Sequence, residues 1–235
     1  MILRLVISLS LAASATHAAE FPLIPLPERI VQSEGTLLLP AKIRIESKDN
    51  SQTEMLTRVV TTALDARHLP DAATEAPVPV VFQDVPTPAD KSADSYQLSI
   101  TPAGITIRGS GAGLFYGAVT LAQWISHSPR QAAAIALPCV EVEDSPRFAW
   151  RGFMLDESRS FAGEEEVKLL LDTMAAYKLN RFHWHLTDSP GWRIEIKSFP
   201  KLTTIGARGS ENDPAGKGPP QFYTQDKIRE MVQYA

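Results

Sequence analysis

Cysteine is nearly absent: of 235 residues only Cys139 is one, which excludes an internal disulfide framework and any multi-cysteine metal cluster. An excess of one charge is also missing. Lys and Arg number 23 against 27 Asp and Glu, a formal net charge of −4, so a broad polyanion-binding surface is not expected and nucleic acid is not an expected partner. The 13 glycines and 18 prolines follow no repeating period, which removes collagen-like and low-complexity classes. What is present is ordinary for a folded chain. Hydrophobic residues at 44% and charged residues at 21% suit a buried core rather than disorder. At about 150 residues per domain, the length allows one large domain or two modest ones.

Long apolar runs are lacking except at the start. Arg4 precedes the run Leu5 to Ala13, and the small residues Ala13-Ser14-Ala15 and Ala18-Ala19 follow. That is the three-part form of a secretory signal over residues 1–19, too short for a membrane anchor. It implies export to the periplasm or the extracellular space, or to a lysosome-like compartment in a eukaryote, with no membrane anchor.

Beyond it, the prolines of Phe21 to Pro27 suggest extended chain. Partial alternation over Leu37 to Glu46 predicts a strand, and Val78 to Phe82 a shorter one. Apolar residues at Leu56, Val59, Val60, Ala63 and Leu64 predict a helix over 54–69. Tyr96–Thr101 and Gly104–Arg108, joined at Pro102-Ala103-Gly104, read as a hairpin, and 113–125 as a helix. A boundary is expected around Leu137 to Pro146, where Glu141, Glu143 and Asp144 cluster. The rhythm then becomes strand (Phe153–Leu155), helix (164–179), strand (180–186), with a further helix from Lys227 capped by Thr224. Such β-α units imply parallel strands. Two of them cannot close a barrel, so this region reads as the beginning of one or as something else.

The candidate residues leave choices open on spacing alone. Gly109, Gly111 and Gly113 lie between a strand and a helix, but Leu114 stands where a dinucleotide fingerprint needs glycine, so a tight turn explains them. His183 and His185 share one face of a strand. They could be a metal pair with Asp188 as third ligand, or histidines packed in an interior; no metal site is expected, because too few ligands are at hand. Asp156 and Arg159 follow one strand and Asp188 the next. In parallel α/β architectures chemistry gathers at those strand ends, yet each residue also reads as a surface charge or ion-pair member.

The runs Arg151-Gly152-Phe153-Met154-Leu155-Asp156-Glu157-Ser158-Arg159, Met174 to Asp188 with its His183-Trp184-His185-Leu186-Thr187-Asp188, and Gly191-Trp192-Arg193-Ile194-Glu195-Ile196-Lys197 resemble glycoside hydrolase family 20, the β-N-acetylhexosaminidases. Tyr96–Ile107 and Gly113–Gly117 resemble the small domain that precedes the family's barrel. The resemblance implies an α+β N-terminal domain (residues 20–145) followed by the first β/α units of a truncated (β/α)8 TIM barrel (146–235). It implies removal of terminal N-acetylhexosamine from glycans or chitooligosaccharides, with an amino-sugar glycan as partner and no cofactor. The mechanism implied is substrate-assisted and retaining, one of the exceptions to the two-carboxylate scheme.

On the same resemblance Arg159 matches the arginine that binds ring hydroxyls, and Asp188 the aspartate that holds a downstream histidine in a supporting relay. Asp156, His183 and His185 stand as supporting residues. The family's Asp-Glu acid/base pair belongs to a later strand than this chain contains, so residues 1–235 alone are expected to be inactive. Two departures stand out: Ser160 follows the arginine where the family often has histidine, and Ser189-Pro190 follows Asp188. The alternative of another class is a non-catalytic secreted carbohydrate-binding or interaction module.

Overall fold

A computed structural model describes residues 21–47, 50–70, 76–211, 213 and 215–235. The expected export segment, residues 1–19, lies outside the described residues.

The first part is a mixed sheet with two helices. Its elements are β1 (Arg29–Pro40), β2 (Ile43–Ser47), α1 (Asn50–Asp65), β3 (Val78–Asp84), β4 (Tyr96–Thr101), β5 (Gly104–Gly109), α2 (Ala112–His127), β6 (Arg130–Gln131) and β7 (Ala134–Asp144). The strand order is β1-β7-β4-β5-β3-β2, with β6 paired to β7. Alternation decides which face is buried. Leu98, Ile100, Ile105, Ile107, Val80 and Phe82 point inward, against the apolar stripe of α1 (Leu56, Val60, Leu64) and the largely buried α2, where Leu121, Trp124 and Ile125 are centred.

One expectation needs correction. The single strand over Leu37–Glu46 is two strands, β1 and β2, at opposite ends of the hydrogen-bonded order. Pro40 and Ile43 are three chain steps apart, at most about 11 Å, whereas five strand spacings of a flat sheet span about 24 Å. The sheet therefore coils so that its margins approach at this corner. The acidic cluster at the expected boundary, Glu141, Glu143 and Asp144, belongs to β7. Val140 and Val142 of β7 are buried while the alternating Glu141 and Glu143 point outward, and β7 pairs with both β1 and β4.

The second part comprises β8 (Gly152–Asp156), α3 (Glu164–Ala176), β9 (Arg181–His185), β10 (Thr187–Asp188), β11 (Gly191–Trp192), α4 (Lys201–Thr204) and α5 (Gln225–Tyr234). Strands β8 and β9 are parallel, with Asp156 opposite His185. One face of the pair, Leu155, Phe182 and Trp184, packs with Val167, Tyr223 and Met231 around α3 and α5. The other face carries Met154, Asp156, His183 and His185, because side chains alternate along a strand and paired residues share a side. Helix α3 ends at Ala176, short of the expected 179, because Lys178 adopts a left-handed φ of 58°. Its N–H and that of Leu179 then return to the carbonyls of Ala175 and Met174, a Schellman-type stop. Thr224 caps α5 through Lys227 N, as expected. Among the described residues no helix is long and apolar enough to cross a membrane.

Candidate active-site rim

The turn after β8 is stitched to the end of β9. The N–H groups of Glu157 and Ser158 both donate to the His185 carbonyl, at 3.1 and 3.3 Å. This places the next residue, Arg159, over the C-terminal ends of the two strands. Its backbone N–H donates to Asp156 Oδ1 at 3.1 Å, and its guanidinium pairs with Asp156 Oδ2. The other amino nitrogen, Nη2, lies 3.6 Å from Asp188 Oδ2. A planar fork so placed spans two carboxylates that come from successive strand ends.

Asp188 sits on β10, one residue before the Ser189-Pro190 turn that leads into β11. Ser189 N donates to its Oδ1 at 2.7 Å. That bond, together with His185 and Arg159, outweighs partial desolvation and holds the Asp188 carboxyl below the usual range. For Asp156 burial acts upward, but the Arg159 amide and guanidinium prevail and hold it down as well. In this structure 41% of the Asp188 side chain is exposed. Its imidazole neighbour is His185, whose buried Nε2 lies 3.4 Å from Asp188 Oδ2 without forming a hydrogen bond. The His183 and His185 rings stand 6.0 Å apart. Among the described residues no group of three His, Cys, Asp or Glu could hold a metal ion.

Arg159, Asp156, Asp188 and His185 thus share one rim, with His183 two residues back on the same strand face. A hollow of about 640 Å³ between the two parts of the chain, bordered by Tyr96, Tyr116, Asp144 and Lys178, is not lined by any of them.

Beneath the rim lies a buried polar framework that sequence reasoning did not single out. Glu157 is fully buried. Its Oε1 accepts from the N–H groups of Ala162 and Gly163, each at 3.0 Å, and from the Tyr223 hydroxyl at 2.7 Å; its Oε2 accepts from Trp184 Nε1 at 2.6 Å. Tyr223 is pushed up in consequence, first by burial and then by this carboxylate. Arg193 is also fully buried, and burial pushes its pKa down against the opposing pull of Glu157. Its Nε donates to Glu157 O, its Nη1 to Ala207 O and Gln221 O, and its Nη2 to Ser158 O and Gly209 O, at 2.5 to 3.2 Å. All five N–H donors of the guanidinium are therefore used. Gly191 makes room for it, since a Cβ there would fall 2.4 Å from Arg193 Cζ.

The fold agrees with the chain's relatives. The family model described as Glycosyl hydrolase family 20, domain 2, matches residues 20–145, and that of the family's catalytic domain matches residues 148–235. The chain belongs to glycosyl hydrolase family 20. Among curated relatives, a beta-hexosaminidase of Porphyromonas gingivalis is 34% identical over 221 residues, covering 91% of this chain and 28% of that protein. A beta-hexosaminidase of Vibrio furnissii is 36% identical over 229 residues, 94% of this chain and 36% of that protein. Among solved family 20 structures, the exo beta-N-acetylglucosaminidase of Vibrio harveyi in complex with N-acetylglucosamine superposes with a TM-score of 0.75 at 30% identity. It covers 91% of this chain and 34% of that one. The chain thus spans about a third of the length of these relatives.

Proposed function

We propose that these residues form part of a β-N-acetylhexosaminidase that removes terminal N-acetylhexosamine from glycans or chitooligosaccharides. The observation that carries this reading is the Arg159 guanidinium, held between Asp156 and Asp188 at the C-terminal ends of β8 and β9. Two adjacent hydroxyls of a pyranose ring match the spacing of a planar donor fork, and a fork already oriented by carboxylates loses little freedom on binding. The names of the relatives, beta-hexosaminidases and an exo beta-N-acetylglucosaminidase, support the choice of an amino sugar.

The β8–α3–β9 unit supports a larger architecture. With one face apolar against helices and the other bearing Asp156, His183 and His185, it suits the opening of a (β/α)8 barrel of about 250 residues, preceded by the sheet domain of residues 20–145. In that setting the rim residues bind and orient the terminal sugar. Asp188 and His185 hold a polar edge beside it. The carbonyl oxygen of the substrate's own 2-acetamido group attacks the anomeric carbon as the glycosidic C–O bond breaks. The leaving oxygen takes a proton from the Glu of an Asp-Glu pair outside residues 1–235, whose Asp orients the acetamido group. A water deprotonated by the same Glu then opens the oxazolinium at the anomeric carbon to release the sugar. The amino-terminal apolar segment supports export, to the periplasm or beyond the cell.

The test uses the longest native reading frame that contains these residues, assayed on an aryl N-acetyl-β-glucosaminide. Turnover is expected, and Arg159→Ala should lower the specificity constant by about 100-fold, the size of a lost charged anchor contact. No turnover, or turnover indifferent to Arg159, overturns the proposal.

A further inference from the structure

We propose that Arg193 is a positioning residue for sugar recognition, acting through Arg159. This rests on the reading of Arg159 as a sugar contact. Three features carry it. The guanidinium binds the carbonyls of Glu157 and Ser158, the two residues immediately before Arg159. It binds the carbonyls of Ala207 and Gly209 as well, and the loop they belong to returns to Arg159 through a 2.8 Å bond from Glu211 N to Arg159 O. Finally, Ser158 Oγ donates to the carbonyl of Gly191 at 2.8 Å, the glycine whose missing side chain gives the guanidinium its space.

Arg159 is therefore clamped on both sides of its own backbone by one buried cation. Among the described residues its hydrogen-bond acceptors are all main-chain carbonyls, so Arg193 fixes backbone positions in addition to its Coulombic attraction to Glu157. Lysine cannot replace it. An ammonium offers three donors without the fork, which leaves at least two of the five carbonyls without their partner. Glu157 completes the clamp from the other direction, tying the start of α3 at Ala162-Gly163 to Trp184 of β9 and to Tyr223.

A double-mutant cycle on the native full-length protein tests this, with the Kd for N-acetylglucosamine as readout and Tm recorded beside it. Arg193→Lys is expected to raise Kd about tenfold when Arg159 is intact and by less than about twofold in the Arg159→Ala background, because coupled residues are non-additive. Equal losses in both backgrounds, or a lowered Tm with unchanged Kd, overturn the positioning role. An Arg159→Ala protein that binds N-acetylglucosamine normally overturns the sugar reading itself, a separate outcome. Should Arg193→Lys accumulate only as unfolded protein, Gly191→Ala enters the same cycle, since it displaces the guanidinium while keeping its charge.

Discussion

The Lys178 ammonium lies 3.0 Å from the Asp144 carboxylate, which joins the stop of α3 to the last residue of β7. The same ammonium donates to the Tyr96 hydroxyl at 2.7 Å, and Arg151 reaches Asp94 at 2.9 Å beside it. The sheet and the β8–β9 unit are thus locked by buried polar contacts. Burial lowers the Lys178 pKa and Asp144 opposes that shift.

Lys178 occupies a left-handed backbone position where glycine would relieve about 1 kcal/mol of strain. Breaking a buried ion pair costs about 3–5 kcal/mol, and Asp144 retains the Tyr96 hydroxyl as donor, which favours the lower end. Lys178→Gly should therefore destabilise by about 2 kcal/mol net in urea unfolding. A more stable variant would show that backbone strain outweighs the lock.

The turn from β5 into α2 holds two glycines of opposite kinds. A Cβ on Gly113 would sit 2.2 Å from the Ser95 carbonyl oxygen, whereas Gly111, at φ +50°, has nothing within 4 Å. Gly113→Ala gains about 1 kcal/mol of helix propensity but forces backbone apart, for a net loss of about 2 kcal/mol. Gly111→Ala meets only the positive φ, at about 1 kcal/mol. Thermal unfolding of the two variants should rank them in that order.

That turn also shows what a sequence discloses. The absence of glycine at Leu114 was enough to set aside dinucleotide binding, but the reason for Gly113 lies in Ser95, on a different segment. The β4–β5 hairpin was legible because both strands alternate and a Pro-Ala-Gly turn joins them. The division of Leu37–Glu46 was not, because it depends on pairing with Leu137 on one side and Val78 on the other. Asp156, Arg159 and Asp188 could be singled out as charged residues after strands. Arg193 could not, because its hydrogen-bond acceptors are carbonyls that any residue would supply. The one cue was an arginine inside the otherwise apolar Trp192 to Ile194.

Trp184 provides an internal probe of that framework. Its indole N–H is the donor to Glu157 Oε2, and the other donors to this carboxylate are on Oε1. Trp184→Phe keeps the aromatic packing on Tyr223, whose ring centroid is 4.7 Å away, but leaves a buried charged oxygen short of a partner. A loss of about 2 kcal/mol in unfolding free energy is expected. A change within about 0.5 kcal/mol would mean that water or a rearranged neighbour replaces the indole.

The rim carboxylates make a pH prediction whose sign follows from their depressed values. Asp156 and Asp188 bind protons less readily in the folded chain than in the unfolded one. Their pairing with Arg159 is then fully stabilising above the ordinary carboxylate range, and it is lost as pH falls through the lower folded values. The Tm difference between the native protein and Asp188→Asn should stay level from about pH 7 to pH 5 and shrink only below about pH 4. Carbon-13 titration of the two carboxyls supplies the direct measurement. A midpoint within or above the ordinary range for Asp188 would mean that Ser189, His185 and Arg159 do not hold its charge, and that the fork of Arg159 is steadied by Asp156 alone.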